Sequence, residues 1–424
     1  MSSRTVTPTL SMQEAPSPPP EKAPADDPPP NGGRRAWLQV LASFILFFNT
    51  WGLVNSYGVF QAHYSVAELR NESESNISWI GSIQAFLLLI VGIATGPLFD
   101  AGYFYALLGT GSFLIVFGMY MTSLCTVYWQ FMLAQGVTIG LGSGCLFVPS
   151  VAIVSTYFTT KKSLATGLAA SGSSLGGVIY PIIFTNLVKS IGFRDTTIVI
   201  ASIMLATMLI CISVARVRVL PPTKRRLLDL SAFKEIPFLM FSIAEFLGFM
   251  GMYIPFFYIQ SYASEKHIMN ANSAFYMLPV LNAASIFGRI VPNFLADKTG
   301  PLNMLVPCTC ISAILAFCWI PVHDTAGVVI FCILYGFFSG TFVSLPPTTV
   351  VSLSPSLSVV GTRMGMSFTF AGFGILVGNP VAGAILNSGS WIGLQLFCAI
   401  SVVTAGIACG IARFAKAPQL MAKC

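Results

Sequence analysis

Long runs of apolar residues, separated by short polar breaks, make up most of this chain. A helix needs about 20 mostly apolar residues to cross a lipid bilayer, and most of these runs reach that length. Strands of a membrane barrel would be about 10 residues long and alternate in polarity, which these runs do not. The pattern therefore predicts an all-α polytopic membrane protein with twelve transmembrane helices, at residues 37–60, 77–99, 104–124, 130–157, 163–187, 196–218, 237–262, 272–296, 302–322, 326–350, 362–386 and 391–413.

The segments outside these spans are short and polar. Residues 1–36 hold nine prolines, mixed with serine, threonine and acidic residues, and predict a disordered cytoplasmic tail. They lack the apolar stretch behind a basic start that marks a signal peptide. The remaining divisions are a six-helix half at 37–218, a short basic linker at 219–236, a second six-helix half at 237–413 and a cytoplasmic tail at 414–424. No segment is long enough to form a soluble catalytic domain.

Composition narrows the class of protein further. Only 9% of the 424 residues are charged, 55% are hydrophobic, and the mean hydropathy is +0.78. An average soluble protein carries about 25% charged residues, so a soluble enzyme and a disordered protein are both excluded. The net charge of +7 comes from short basic clusters between apolar runs, which suits membrane orientation better than nucleic-acid binding. The ten cysteines are scattered, and we expect no metal site and no disulfide framework.

Lysine and arginine are distributed unequally between the two sides of the predicted bundle. Cytoplasmic loops of membrane proteins carry the excess of these residues, so the distribution predicts that both termini are cytoplasmic. Two N-x-S sequons, at Asn71 and Asn76, then fall in the first outer loop as possible glycosylation sites. The plasma membrane is the expected location, with the vacuolar membrane as the alternative. The cytoplasmic set is Arg34, Arg35, Lys161, Lys162, Arg216, Arg218, Lys224, Arg225, Arg226, Lys234, Lys298, Arg363, Arg413 and Lys416, and the outer set is Arg70, Lys189, Arg194 and Lys266.

The two halves repeat each other at a nearly constant offset. Gly96-Pro-Leu-Phe-Asp100 ends span 2, and Pro292-Asn-Phe-Leu-Ala-Asp297 ends span 8, with the two aspartates 197 positions apart. Ala165-Thr-Gly167 in span 5 and Arg363-Met-Gly365 in span 11 are 198 positions apart. A parallel repeat over six spans predicts two pseudo-symmetric six-helix halves, with a substrate site between them near the membrane midplane.

These motifs resemble the major facilitator superfamily, and within it the fungal form of the monocarboxylate-porter branch. The segments that carry the second resemblance are Asn31-Gly-Gly-Arg-Arg-Ala-Trp37, Ser78-Trp-Ile-Gly-Ser-Ile-Gln84, Ala165-Thr-Gly-Leu-Ala-Ala-Ser-Gly-Ser-Ser-Leu-Gly-Gly177 and Pro255-Phe-Phe-Tyr-Ile-Gln260. Animal members of the branch have a lysine in span 1 and an aspartate one turn before an arginine in span 8. Here Asn55 and Ser285 occupy the first two positions, and only Arg289 remains. The resemblance implies a major facilitator fold and alternating access, but not the proton–lactate chemistry of the animal members.

Two ionisable residues inside the spans are the first candidates for transport. Charged groups at the centre of a membrane helix are costly, about 2.5–3.5 kcal/mol or more, and usually face a cavity or a partner. Glu245 in span 7 and Arg289 in span 8 lie at similar depth toward the cytoplasm. We expect Glu245 to take up and release a proton, while Arg289 pairs with it or with an anionic group of the cargo. The alternatives are a static ion pair, or a Glu245 that reaches the headgroups.

Neutral polar residues and helix ends supply the remaining candidates. Asn49, Asn55 and Asn282 are expected to hydrogen-bond the cargo or a neighbouring helix, and Tyr180 to form part of a cavity wall. Gly96, Asp100 and Asp297 belong to the repeated motifs at the cytoplasmic ends of spans 2 and 8. The two aspartates are expected to act in gating, by capping helix starts or meeting basic groups.

These observations favour a secondary active transporter that moves a small organic molecule across a membrane by alternating access, with coupling to protons as an open alternative. Export of a secondary metabolite and uptake of a monocarboxylate or vitamin both fit, with the lost charges favouring export. A nutrient sensor on a transporter scaffold and a membrane-embedded enzyme are the alternatives. The enzyme is disfavoured because His63, His267 and His323 all lie at outer loops. No cofactor, metal or nucleic acid is expected, and the partners are a small-molecule substrate and the lipid bilayer, around a monomer.

Overall fold

The computed structural model describes residues 31–218, 228–355 and 357–419. Most of the predicted N-terminal tail and part of the basic linker lie outside these ranges. Every regular element within them is helical, as the apolar pattern predicts. The α-helices are α1 Gly33–Asn49, α2 Trp51–Asn55, α3 Tyr57–Val66, α4 Glu74–Asp100, α5 Phe104–Thr122, α6 Tyr128–Phe131, α7 Gly140–Tyr157, α8 Lys162–Val214, α9 Ile236–Met252, α10 Ile254–Glu265, α11 Ala271–Ala274, α12 Met277–Thr299, α13 Pro301–Cys318, α14 Thr325–Ser344, α15 Pro346–Leu353, α16 Leu357–Asn387 and α17 Trp391–Lys416.

Ten helical segments in the described ranges are long and apolar enough to cross a membrane, and two features reconcile this number with twelve spans. The 53-residue α8 contains Gly192 with φ 81°, a backbone conformation outside the helical region that glycine adopts without steric cost. This residue separates spans 5 and 6. Span 1 is the broken series α1, α2 and α3, of which the longest piece has 17 residues. The all-helical twelve-span fold is therefore confirmed.

The other spans follow the helices in chain order. Span 2 is α4, span 3 is α5, span 7 is α9 with α10, span 8 is α12, span 9 is α13, span 10 is α14 with α15, span 11 is α16, and span 12 is α17. Span 4 joins α6 to α7 through a π-helical segment, Met132–Ile139. We call the side of the bundle where α1 begins and α17 ends the tail side, and the opposite one the far side.

Glycines allow neighbouring helices to pack backbone against backbone within the first half. A Cβ atom at Gly172 in span 5 would lie 2.1 Å from the Phe44 carbonyl oxygen in span 1, and one at Gly176 would lie 2.6 Å from that of Phe48. In span 4, a Cβ atom at Gly144 would lie 2.5 Å from Val91 of span 2. Lipid tails provide no hydrophobic force between helices, so this close packing holds the half together.

The two halves meet along two seams, spans 5 with 8 and spans 2 with 11, and close against each other on the far side. There, the rings of Tyr57 and Phe257 lie 5.0 Å apart, and the Ser75 hydroxyl donates to the Pro380 carbonyl at 3.0 Å. A Cβ atom at Gly58 would lie 2.3 Å from the Phe256 carbonyl oxygen, so spans 1 and 7 also touch directly. The far side is therefore sealed in this conformation.

An ionic cluster on the tail side fixes the end of the linker to the second half. The buried Arg363 guanidinium, at the start of span 11, lies 3.1 Å from Asp229 Oδ2 and 2.5 Å from Glu235 Oε1. The Ser231 hydroxyl and Arg363 lower the pKa of Asp229 by hydrogen bonding, and Arg363 lowers the pKa of Glu235. Both carboxylates are thus stabilised in their charged forms.

A side chain placed at the glycine contact between spans 1 and 5 should destabilise the fold. Gly172→Val forces a side chain against the Phe44 carbonyl, and overpacking of this kind typically costs about 1–3 kcal/mol. We expect a lower melting temperature for the detergent-purified protein. The matched control is Gly109→Val in span 3, where a Cβ atom meets nothing within 4 Å. Equal melting temperatures for the two variants would contradict this account of the packing.

The ionic cluster predicts a loss of stability in acid. Because the pKa values of Asp229 and Glu235 are depressed in the folded state, their stabilising contribution is present above their ordinary values of 3.8 and 4.5. It is lost as the pH falls below that range. We expect Arg363→Gln to reduce the drop in melting temperature between pH 7 and pH 3, with Lys234→Gln as the control. Parallel pH profiles for the parent chain and Arg363→Gln would refute the cluster's contribution.

Candidate functional site

An open cavity lies between the two halves and reaches the tail-side ends of the helices. Spans 2, 4 and 5 form its wall in the first half, and spans 10 and 11 form its wall in the second. Gly96 and Pro97 on one side and Gly361 and Thr362 on the other place its mouth at the tail side. The position between the repeated halves matches the site that the internal repeat predicts.

A second, smaller chamber lies beside this cavity, toward the centre of the bundle. The two share Leu89, Phe147, Thr166, Pro347 and Phe368, so they are adjacent along one path. Trp51 and Phe249 line only the inner chamber, and the Trp51 ring lies 6.1 Å from those of Phe147 and Phe249. The inner end of the path is therefore aromatic.

The lining of both chambers is mostly apolar. Its polar members are a few hydroxyl groups, including those of Ser155 and Thr348, and one charged side chain, Lys162. No acidic residue in the described part of the chain pairs with the Lys162 ammonium group. Lys162 is also the first residue of α8, where the helix dipole adds positive potential. The cavity thus combines an apolar body with one positive point near its mouth.

An aromatic layer separates the inner chamber from the far side. Trp51 lies 5.9 Å from the Tyr253 ring, and Phe249 lies 5.8 Å from the same ring. Beyond this layer come the Tyr57–Phe257 contact and the other far-side contacts already described. The path is accordingly open toward the tail side and closed toward the far side.

Arg289 lies fully buried in the seam between spans 5 and 8. Its Nη1 atom donates to the Ser173 hydroxyl at 2.7 Å and to the Ala170 carbonyl at 3.4 Å, and its Nε atom donates to Ser285 Oγ at 3.2 Å. Its Nη2 atom has no hydrogen bond of normal geometry among the described residues, and the Tyr253 hydroxyl is the electrostatic neighbour of the guanidinium. Ala170 also lines the inner chamber, so this guanidinium lies directly behind the cavity wall.

Two asparagines extend this polar network across the interface. Asn55 donates to the Ser173 carbonyl at 3.3 Å and accepts from the Tyr253 hydroxyl at 3.3 Å, which links the first half to the second. Asn282 donates to the Leu278 carbonyl at 3.1 Å and to the Asn55 carbonyl at 3.5 Å. Neither asparagine lines the two chambers, so both reach cargo only through a rearrangement of the interface.

Glu245 and Arg289 are not paired in this conformation, so of the two partners predicted for Arg289 an anionic group of the cargo remains. Glu245 is fully buried within the second half, and neither carboxyl oxygen has a hydrogen-bond partner among the described residues. Its electrostatic neighbour is the Cys409 thiol of span 12. Similar depth in two helices does not decide which face each side chain occupies, and here Glu245 faces span 12 while Arg289 faces span 5.

Asn49 and Tyr180 bond to each other inside the first half. The Tyr180 hydroxyl donates to Asn49 Oδ1 at 2.7 Å, and Asn49 donates to Thr207 Oγ1 at 3.0 Å and to the Ile45 carbonyl at 2.9 Å. Both are buried, and neither lines the cavity. In this conformation they hold spans 1, 5 and 6 together.

The motif residues at the tail side occupy different positions. Asp297 accepts hydrogen bonds from the backbone N–H groups of Ser163 at 2.9 Å and Leu164 at 3.0 Å, so span 8 of one half caps span 5 of the other. Gly96 lines the cavity mouth. Asp100 is the last residue of α4, and its side chain lies outside the described part of the structure.

The two sequons lie at the far side, at the start of span 2. Asn71 is exposed in the turn before α4. Asn76 lies in the first turn of α4, where its amide donates to Glu72 at 2.8 Å, and Ser78 of the same sequon is buried. Of the two, Asn71 has the more accessible position.

Sequence reasoning missed the residues that line the cavity. It counted Lys162 only as a cytoplasmic charge, and it did not single out Trp51, Phe147, Phe249 or Phe368 among 34 phenylalanines and six tryptophans. Their type carries no signal, because most aromatic residues in such a chain face lipid or other helices. The available clue was the position of Lys162 directly before the glycine-rich motif of span 5.

Comparisons with known proteins agree with this architecture. Residues 39–358 match the family described as the Major Facilitator Superfamily. The chain is 48% identical to the MFS-type transporter dbaD of Emericella nidulans, over 93% of this chain and 90% of that protein. It is 39% identical to the aspyridones efflux protein apdF of the same fungus, over 92% and 80%.

Solved structures support the same fold. The Escherichia coli fucose:proton symporter FucP superposes with a TM-score of 0.64 at 17% identity, covering 90% of this chain and 98% of that one. A structure of FucP in the outward conformation gives the same TM-score and covers 99% of its own chain. The family match, the named relatives and the cavity between two repeated halves lead to one conclusion. The chain belongs to the Major Facilitator Superfamily and is an integral membrane secondary transporter rather than an enzyme.

Proposed function

We propose that this transporter exports an amphiphilic organic molecule of the secondary-metabolite class from the fungal cytoplasm. The observation that carries the proposal is the cavity between the halves, which is open on the tail side, apolar in its body, and charged only at Lys162 among the described lining residues. Such a surface suits a molecule with an apolar body and one acidic group. A small hydrophilic solute gains little from it.

Two further points support export as the direction of transport. The excess of lysine and arginine on the tail side favours a cytoplasmic location for that side, so the open cavity faces the cell interior. The printed name of the relative apdF describes an efflux protein for aspyridones. We propose the plasma membrane as its location, as the site of export from the cell. We also propose that it acts as a monomer, since the described walls of the cavity belong to a single chain.

We also place the chain in the fungal monocarboxylate-porter-like branch, with an altered binding site. Asn55 and Ser285 take the positions of the charged residues in animal members, and they bond into the network around Arg289. Arg289 lies behind the cavity wall, and its Nη2 atom has no hydrogen bond of normal geometry among the described residues. The Arg289 guanidinium is a second positive group, which binds the acidic end of the cargo after the cargo has moved past Lys162.

Flux measurements test the export proposal directly. Inside-out vesicles from yeast expressing the chain should accumulate the fluorescent amphiphile 1-pyrenebutyrate faster than vesicles from cells without it. An imposed proton gradient, acidic inside, should increase the rate. Accumulation equal to that of the empty vesicles, for this probe and for other apolar acids, would remove the proposal.

Lys162 should determine selectivity for an acidic group. Lys162→Gln removes the positive charge at the cavity mouth, so we expect the KM for 1-pyrenebutyrate to rise about tenfold, equivalent to about 1.4 kcal/mol. Transport of the neutral pyrenebutyramide should not change. Lys161→Gln is the matched control, since Lys161 is exposed and does not line the cavity. Equal effects of the two variants would show that Lys162 has no contact with cargo.

Glu245 is the best-placed residue for a transported proton. It is fully buried, and its carboxyl oxygens have no hydrogen-bond partner among the described residues. A buried carboxylate without a partner is strongly disfavoured, so the neutral acid fits this conformation. Release of the proton then requires that span 7 or span 12 moves and brings water to the carboxyl group.

A neutral replacement separates coupling from folding. Glu245→Gln keeps the shape of the neutral acid, so we expect normal assembly and transport that no longer responds to the proton gradient in the vesicle assay. Glu265→Gln, at the far-side end of the same span, is the control. If Glu245→Gln retains the parent's response to the gradient, the carboxyl group has no part in coupling.

A further inference from the structure

The seam between spans 2 and 11 contains polar groups that the cavity and the Arg289 network do not use. The two helices run antiparallel along this seam. A Cβ atom at Gly372 would lie 3.3 Å from the Phe86 ring, and one at Gly383 would lie 2.9 Å from the Ser75 Cα atom. These contacts define the facing stripes of the two helices.

Ser82 and Asn379 lie on these stripes. Ser82 is one turn from Phe86 and two turns from Ser75, and Asn379 is one turn from Gly383 and two turns from Gly372. Both side chains are buried, with 0% and 1% of their surface exposed. The antiparallel register brings them to within about one helical turn, near 5 Å, of the same level.

Neither side chain has a hydrogen-bond partner among the described residues. The Ser82 hydroxyl and both ends of the Asn379 amide lack a hydrogen bond among the described residues. Only the backbone carbonyl of Asn379 is bonded, to the Tyr258 hydroxyl at 3.1 Å. Buried polar groups without partners are uncommon because each retains its full desolvation cost. The closed seam is therefore less stable than an apolar one would be.

The position of these groups gives them a role in the transport path. From the tail-side cavity, the seam passes from Leu89 to the Phe86–Phe373 ring contact, then to Ser82 and Asn379, and finally to the Ser75–Pro380 hydrogen bond. The two unpartnered side chains thus lie between the aromatic contact and the far-side closure. When spans 2 and 11 separate on the far side, water and cargo reach both groups.

We propose that Ser82 and Asn379 form a second cargo subsite on the far side of the ring contact. It binds neutral hydrogen-bonding groups of the cargo, such as hydroxyl, carbonyl or amide, while the outward-facing state releases the molecule. A serine hydroxyl and an asparagine amide supply both donors and acceptors for such groups. The inference rests on the proposed export function. It adds that the acidic end is recognised at the tail side and the neutral polar end at the far side.

The double variant Ser82→Ala with Asn379→Leu tests the subsite. Removing unpartnered groups from the closed seam should leave the melting temperature unchanged or raised. Binding of 1-pyrenebutyrate from the tail side should stay within about twofold of the parent, because the cavity is untouched. Turnover of pyrenebutyramide, whose amide is a neutral hydrogen-bonding group, should fall about tenfold in the vesicle assay, since the outward-facing state loses its polar contacts. Turnover equal to that of the parent would overturn the proposal.

Ser367→Ala is the matched control for this variant. Ser367 is on the same helix as Asn379, is equally buried, and has a hydroxyl without a hydrogen-bond partner among the described residues. It lies two turns before Gly374, on the face that packs against span 7 rather than span 2. Its removal should affect turnover by less than about twofold. An equal loss of turnover in Ser367→Ala would mean that any buried hydroxyl of span 11 has this effect, and would refute the subsite.

Thiol labelling separates failure of the subsite from failure of the export proposal. In nanodiscs, Ser82→Cys should react with a charged methanethiosulfonate above the background of the parent's ten cysteines. This reaction requires only that the far side opens, whether or not 1-pyrenebutyrate is transported. Labelling without pyrenebutyrate flux would refute the export of this probe class and keep the seam in the path. Absence of labelling, with and without the probe, would overturn the subsite.

Discussion

Close backbone contact at glycine is the constraint on which the rest of this structure depends. Within a bilayer, helices gain little from leaving lipid, so they associate through shape and hydrogen bonds. A Cβ atom at Gly288 would lie 1.8 Å from the Phe337 carbonyl oxygen, and one at Gly167 would lie 2.3 Å from that of Arg289. The first contact builds the second half, and the second contact joins the halves. The cavity exists where such contacts stop, on the tail side between spans 2, 4, 5, 10 and 11.

Helix packing also determines where the ionisable side chains inside the bundle lie. Arg289 is held behind the cavity wall by hydroxyl and carbonyl oxygens rather than by a carboxylate. Glu245 is enclosed in the second half, away from that network. The two ionisable groups that a transporter of this kind would use for cargo and for protons are therefore on different faces of neighbouring spans. Any communication between them passes through the movement of helices.

Sequence reasoning found the fold because its signals are strong and local. Length and uniform apolarity of the runs gave the spans, and the offset of the motifs around Asp100 and Asp297 gave the two halves. It did not find the cavity, because Trp51 and Phe249 differ from lipid-facing aromatic residues only in the direction they face. It also paired Glu245 with Arg289 from depth alone, and the rotation of a helix about its axis is set by tertiary packing. The interruptions of span 1 and the π-helical part of span 4 had no signal that the apolar pattern could reveal.

The interruptions of span 1 have a mechanical consequence. Thr50, with φ and ψ of −98° and −80°, departs from the helical region directly before the segment Trp51–Asn55. The segment itself is anchored to span 5, because a Cβ atom at Gly52 would lie 3.0 Å from the Gly176 Cα atom and Asn55 donates to the Ser173 carbonyl at 3.3 Å. Trp51, which belongs to the aromatic layer, stands on this anchored segment. Any displacement of span 5 therefore carries this part of the barrier with it.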